Sequence, residues 1–467
     1  MPGTWFGLET ARRGMKLNQY ALDITGHNLA NASTPGYSRQ EAVITATDPY
    51  TLPDMNTNPV TPGQIGTGVE VSSIRRVKDQ YLDNNVRRST TDSAYWDDQI
   101  SVLQRTEASF AEPASEGIND RITNFFTSWM DLNNTPQDPG VKAAVAQAGD
   151  SLASLMTYTY NQLGDVQNSV AVIDSTPAVT GGMLVDQVNE ANDLLVQIRN
   201  LTDSIKRVYA VGQQPNDLLD KRDQALEELS KFGPVGVSFE TVGGKPTGEL
   251  SSLTFFGVDV RTADNATLDL TTDGDTITLT AYGSDVINLT DNNLDTSKGG
   301  SLLGLERARQ NVIDYKEKLN DIALNMQSMI AGVGIDFFAG DLATGDFAVN
   351  TGIMEDPSTI DGTLAGSVAD LRDSQIDPID KPYTFEQYYS LLVTQVGGNA
   401  ANASDMADNQ TAIKQQITGL RDSVSGVSTD EELTKMMQFQ YGFQASARVI
   451  NVLDEMLDLL INGLVGR

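Results

Sequence analysis

Apolar residues recur every seven positions near both ends of the chain, and between those ends the pattern changes character. Leu8, Met15, Leu22 and Leu29 lie on one narrow stripe, which predicts a helix ending near Asn31. Met436, Phe443, Ile450, Leu457 and Leu464 keep the same spacing at the other end, with Phe439, Leu453 and Leu460 on the adjoining row and Ser446 interrupting it. The stretch "SGVSTDEEL" announces where that second helix starts. Ser428 precedes Glu431, and Thr429 precedes Glu432, at the spacing of a capping box, and Asp430 suits the positive end of the helix dipole. The helix should fray near Gly463 and Gly466.

The middle of the chain carries a stronger seam and then a switch of period. In "LERARQNVIDYKEKLNDIALNMQSMI", Leu305, Val312, Leu319 and Met326 form one row and Ala308, Tyr315, Ile322 and Met329 its partner. Residues 184–209 repeat the pattern more loosely through Leu184, Val188, Ala191, Leu195, Ile198 and Ile205, with Thr202 breaking it. Between Lys231 and Gly300 the period shortens to alternating Thr- and Val-rich segments. There "TLDLTTDGDTITLT" sets Asp273-Gly274 between Leu268 and Leu270 on one side and Ile277 and Leu279 on the other, a hairpin signal. Residues 335–385, rich in Gly, Asp and Pro, read as a long loop with short strands packed on helices.

These patterns predict a mainly α protein with an inserted β domain, its N- and C-terminal helices paired in a coiled-coil bundle. The expected divisions are an N-terminal arm and extended segment over 1–90, helical body over 91–231, β domain over 232–298, more body with a loop-rich segment over 299–414, and a C-terminal arm over 415–467. Pairing the terminal arms would bury their stripes and leave the β unit projecting outward.

Charge and composition narrow the function classes. Against 63 Asp and Glu stand 32 Lys and Arg, a formal charge of −31, which opposes binding to a phosphate backbone. No apolar run approaches the roughly 18–20 residues that span a bilayer, and the first twenty residues lack the apolar core of a cleaved signal peptide. Membrane insertion is not expected. The chain has no cysteine, which removes thiolate nucleophiles, disulfides and Cys-ligated metals.

Catalytic chemistry finds little support. His27, the one histidine, sits at a helix end between Gly26 and Asn28, where capping or packing is its expected role. No G-x-S-x-G elbow, phosphate loop, H-E-x-x-H or dinucleotide fingerprint stands in a suitable context. Asp269, Asp273 and Asp275 lack the twelfth-position Glu of a calcium loop. Neither cofactor nor metal nor catalytic residue is expected. A glycan hydrolase built on paired carboxylates remains an alternative, because acidic residues abound.

One segment is far more specific than its composition. "TGHNLANASTPGYSRQ", residues 25–40, follows the first stripe with Pro35-Gly36, which suits a type II turn, and Tyr37 placed to pack against it. Val43, Ile44 and Thr45 continue as an extended segment. The combined run of Asn28, Ala30, Asn31, Thr34, Pro35, Gly36, Tyr37, Arg39 and Gln40 resembles the N-terminal signature of the flagellar axial proteins of the rod, hook and hook-associated families. Arg39-Gln40 after the tyrosine, "PNDLLDKRDQALEEL" at 215–229, "GGSLLGLERAR" and the "SGVSTDEE" start resemble the hook-associated protein 1 family in particular. Ser428 and Leu29 depart from residues frequent there, Asn and Ile, without changing cap or stripe. A rod or hook subunit is the nearer alternative. In "PNDLLDKRD" itself, Pro215 suits a helix entrance and Asp217 stands four residues before Lys221, a local ion-pair spacing.

The resemblance implies a structural adaptor between flagellar hook and filament, polymerising through its terminal helices into an annulus of its own copies. It implies contacts with the hook protein and a second junction protein, prior custody of the C-terminal helix by a cytosolic export chaperone, and type III export to the extracellular flagellum without a cleaved signal. Leu8, Met15, Leu22, Leu29, Met436, Phe443, Ile450, Leu457 and Leu464 are the expected assembly seam.

Overall fold

The computed structural model describes residues 3–49, 66–110, 117–173, 177–264, 267–291, 299–376 and 383–462. The chain opens with α1 (Gly3–Ala30), passes through an antiparallel pair, β1 (Gln40–Ala46) and β2 (Val69–Arg76), and enters a body of long helices. These are α2 (Gln80–Ser109), α3 (Ile118–Asn134), α4 (Pro139–Val170), α5 (Met183–Ala210) and α6 (Asn216–Phe232), with the small pair β3 (Val172–Ile173) and β4 (Val179–Gly181) after α4. Asp79 caps α2, its carboxylate accepting from the Tyr81 and Leu82 amides, and Asp138 with Pro139 opens α4.

Six strands follow as two antiparallel sheets. β5 (Val235–Val242), β6 (Lys245–Phe255) and β7 (Val258–Asp259) form the first, and β8 (Leu268–Asp273), β9 (Thr276–Ala281) and β10 (Ser284–Asn288) the second. Leu270 pairs with Leu279 in the expected hairpin, but Asp273 pairs with Thr276, so the two-residue loop is Gly274-Asp275, with Gly274 at φ 61°. The sheets do not project as a free unit. Leu253, Phe255, Leu270, Ile277 and Leu279 belong to the same apolar core as the helices, and Asn192 of α5 exchanges both amide hydrogen bonds with the Leu268 backbone at 2.9 Å. One buried ion pair ties them down further: Glu306 and Arg309, both wholly buried, meet at 2.7 Å, and Glu306 also accepts from Thr290.

The double seam expected over 305–329 is the axis of that core. It lies on α7 (Ser301–Val333), where Leu305, Ala308, Val312, Tyr315, Leu319, Ile322 and Met326 are almost fully buried. The loop-rich segment after α7 holds β11 (Phe338–Ala339), β12 (Ala348–Val349) and the short helices α8 (Thr351–Glu355) and α9 (Ala365–Ala369). Phe337, Phe338 and Phe347 wedge it against α3, with the Phe125 and Trp129 rings each 5.4 Å from Phe337. Then α10 (Phe385–Ser425), opened by a complete Thr384–Gln387 capping box, runs unbroken through residue 415. The helix breaks at 426–428 and resumes as α11 (Thr429–Asn462). No described helix is long and apolar enough to cross a membrane.

Candidate functional site

The terminal helices α1 and α11 pack antiparallel along their lengths. Gly7 faces Leu453, Gly14 faces Ser446, Asn18 faces Gly442 and Asn28 faces Glu432, a single uninterrupted register. The line of contact on α1 is therefore Gly7, Ala11, Gly14, Asn18, Ala21, Thr25 and Asn28, small or polar side chains that let the backbones approach closely. A Cβ added at Gly442 would stand 2.5 Å from Asn18 Oδ1. This corrects the expected seam. Leu8, Met15, Leu22 and Leu29 each sit one residue beyond the contact line and are half-buried, as are Met436, Phe443, Ile450 and Leu457. The register lays these two rows side by side along one flank of the pair, where bulky residues fit and the close-packed centre excludes them. Phe439 and Leu453 belong to the contact line itself. Leu464 and the Leu460 side chain lie outside the described residues.

α11 carries a further apolar set that nothing among the described residues covers. Leu433, Met437, Tyr441, Val449, Val452, Met456 and Leu459 are exposed, Tyr441 at 70% and Leu459 at 75%. Together with its half-buried flank, α11 is apolar on most of its circumference, which in water demands neighbours.

The signature residues form the hub where this helix pair meets the body. After Ala30, the exposed last residue of α1, Asn31 donates to the His27 carbonyl, and Thr34 Oγ1 donates to Asn31 Oδ1 at 3.2 Å. Pro35 and Gly36 then make the expected turn, Gly36 at φ 75° with the Tyr37 amide donating back to the Thr34 carbonyl at 3.2 Å. The turn returns Tyr37 to α1, where its hydroxyl donates to Asn28 Oδ1 at 2.8 Å and meets His27 Nδ1 at 2.9 Å. Asn28, 1% exposed, is saturated: its Oδ1 also accepts from the Gln40 amide, and its Nδ2 donates to the Gln40 carbonyl and to Glu432 Oε2, all at 2.9 Å. Arg39 reaches the other arm, its amide donating to the Ser425 carbonyl at 2.9 Å and its guanidinium to Glu431 at 3.2 Å. Ser428 does cap α11, accepting from the Glu431 amide, but Glu431 turns its carboxylate to Arg39 instead of closing the box.

"PNDLLDKRD" proves to be the body's half of this hub. Asp217 accepts from Gln40 Nε2 at 2.9 Å and stands 3.8 Å from His27 Nε2, a long-range role where local pairing with Lys221 was expected. Asn216 donates to Gln40 Oε1 and to the Ile74 carbonyl, and Asp220 accepts from the Ser38 amide and from Arg76. Asp223 closes the cluster between Arg76 at 2.7 Å and Lys78 at 2.6 Å. Burial alone would raise the Asp223 carboxyl, but the two cations outweigh it and hold its pKa below the ordinary value. The Tyr37 hydroxyl is pushed well above its usual range by burial, reinforced by Asp217 and Asp220, and stays a neutral donor. Beside the turn an open groove of about 770 Å³ carries charges of both signs, and its Arg421 is already engaged with Glu227 at 2.6 Å. Among the described residues no three His, Asp or Glu converge as a metal site. What these side chains build is a polar knot joining four chain segments.

Comparison with known proteins matches this geometry piece by piece. Residues 8–37 match the flagella basal body rod protein profile and residues 422–463 the flagellar basal body rod FlgEFG protein C-terminal profile, so the paired arms define a bacterial flagellar axial protein. Residues 103–333 match the flagellar hook-associated protein FlgK helical domain. Flagellar hook-associated protein 1 of Bacillus subtilis is 27% identical over 516 aligned positions, covering 99% of both chains. The Salmonella typhimurium protein of the same name is 28% identical over 50% of this chain and 39% of its own. The structure of the flagellar hook junction protein FlgK from Burkholderia pseudomallei, 16% identical, superposes with a TM-score of 0.57 over 73% of this chain and 100% of that one, a likeness of fold. From end to end the chain is thus similar to flagellar hook-associated protein 1.

Proposed function

We propose that the chain is a structural adaptor joining hook to filament, its helix pair docking on copies of itself and on axial subunits above and below. The observation that carries this reading is the apolar circumference of α11, half-buried on the flank of Ile450 and open along Leu433 to Leu459. Such a helix is completed by neighbours. The hub fixes how the pair leaves the body, so a lattice formed by the pairs sets the position of every body around it. In this reading the partners are the hook protein on one side and a second junction protein on the other, in an annulus of like copies, and the protein catalyses nothing. An export chaperone shields the C-terminal helix in the cytosol, and the type III apparatus carries the chain out to the flagellum.

Electron microscopy of cells lacking the gene, with filament protein assayed in the medium, tests the reading. Complete hooks without filaments, and filament subunits lost to the medium, are expected. Missing hooks would reassign the chain to rod or hook, and normal filaments would end the proposal. Ile450→Asp, which places a charge on the apolar flank, is expected to abolish incorporation while Ile450→Val preserves it; equal incorporation would remove the flank from the interface.

A further inference from the structure

Seen from the contact line, the two helices of the pair carry opposite charge on their outer edges. Arg12 and Lys16 lie exposed on the edge of α1 turned away from α11, with Arg13 beside them partly covered by Gly68 at the entrance to β2, and Asp454, Glu455 and Asp458 lie exposed on the far edge of α11. The basic edge stands out in a chain of formal charge −31. Glu9 is shared by Arg12 and Arg13 at 2.7 and 2.8 Å, and those two hydrogen bonds hold its carboxyl down at about 2, so one carboxylate serves two guanidiniums and Lys16 adds further positive charge. On the acidic edge Asp458 accepts from Asn462, and none of the three acids makes an ion pair among the described residues.

The two edges do not meet within one chain. In the α1–α11 register the basic trio lies opposite residues 444–448, leaving the acidic trio about 9–21 Å further toward the tip and on the opposite side of the pair. We infer that the acidic α11 edge of one copy docks on the basic α1 edge of the next, with an axial step of about 14 Å between copies. The occupant is a second copy of this chain, because the two edges complement one another and not themselves. Such a contact is heterologous, head to tail, and propagates around an axis until the rotation closes. This inference rests on the adaptor reading and adds the sign and order of the contact.

A charge exchange tests it in cells carrying the variant as their only copy. Reversing the basic edge (Arg12→Glu, Arg13→Glu, Lys16→Glu) or the acidic edge (Asp454→Lys, Glu455→Lys, Asp458→Lys) is expected to cut incorporation at least about tenfold, and combining both sets in one chain to restore it. A combined variant no better than either set would overturn the inference. The chain has no cysteine, so Lys16→Cys with Asp454→Cys adds one reactive pair while leaving most of the edge charge intact. A short bismaleimide applied to flagella from that strain is expected to give a ladder of multiples of the chain mass. Monomer only, or products joined to a chain of different mass, would overturn the docking. Failure of the unaltered chain to enter the flagellum at all would instead count against the adaptor reading.

Discussion

Asn28→Ala removes the side chain on which both arms and the turn converge. Four hydrogen bonds of 2.8–2.9 Å disappear. The Tyr37 hydroxyl keeps His27 and Glu432 keeps Lys435 at 2.8 Å, so the groups left short are the Gln40 amide and carbonyl and one oxygen of a carboxylate that is 1% exposed. At about 1–3 kcal/mol for each stranded group, more for the charged one and less where water enters, separation of the arms becomes easier by about 3 kcal/mol. That is roughly 150-fold in the opening equilibrium. Hydrogen exchange followed by mass spectrometry resolves it: α1 and α11 peptides should exchange about 100-fold faster while α7 peptides, deep in the body, keep their protection. Asn31→Ala, which loses two exposed hydrogen bonds, to the His27 carbonyl and from Thr34 Oγ1, serves as the comparison and should change little. Acceleration below about fivefold in Asn28→Ala, or equal acceleration in both variants, would refute the view that Asn28 holds the arms together.

Other perturbations reach different levels of the structure. Gly304→Ala would drive a Cβ into the Tyr95 carbonyl oxygen, forcing α2 and α7 apart; a loss of about 2–3 kcal/mol should lower the urea midpoint at constant slope. Asp223→Asn should cost about 3 kcal/mol at pH 7 by stripping the charge between Arg76 and Lys78. Because the folded-state pKa of Asp223 lies below its unfolded value, its contribution is present above the unfolded pKa and lost as pH falls through the folded one. The variant's stability should therefore depend less on pH below about 4, and parallel acid limbs would contradict this.

How much of this was legible depended on side-chain size. The α7 rows and the α5 stripe could be read directly, since Leu, Val, Ile and Met at helical spacing are what a body core buries. The terminal stripes were equally visible, yet they mark the flank and not the contact line, because the close approach runs over Gly7, Gly14 and Ala21, which register as neither apolar nor polar. A constant spacing of small residues on α1, matched by Gly442 and Ser446 on α11, was the signal available. α10 was legible only in its first half, where Thr384–Gln387 spells a capping box and Phe385, Tyr388, Tyr389, Leu392 and Val396 make the buried face; beyond Val396 that face passes to Ala400, Ala403 and Ala407, whose small side chains carry the helix silently through residue 415. The turn at 34–37 was legible down to the positive φ of Gly36. The partners of that turn were not, since Asp217 and Asp220 stand more than 170 residues away and only folding brings them to Gln40 and Ser38.

The antiparallel arrangement of α1 and α11 has a modular consequence. The chain leaves the pair at Ala30 and rejoins it at Thr429, and the two crossings are held together where the Arg39 amide meets the Ser425 carbonyl at 2.9 Å. Everything between is one closed excursion from a single doorway. An excursion of any size or fold can be carried there, provided its exit and return stay a hydrogen bond apart and something supplies the acids that Asp217 and Asp220 supply here. A common plug of two helices, about 42 Å long by the span of α1, can thus serve many differently shaped bodies, and an exchange of bodies at residues 40 and 425 should leave the plug intact.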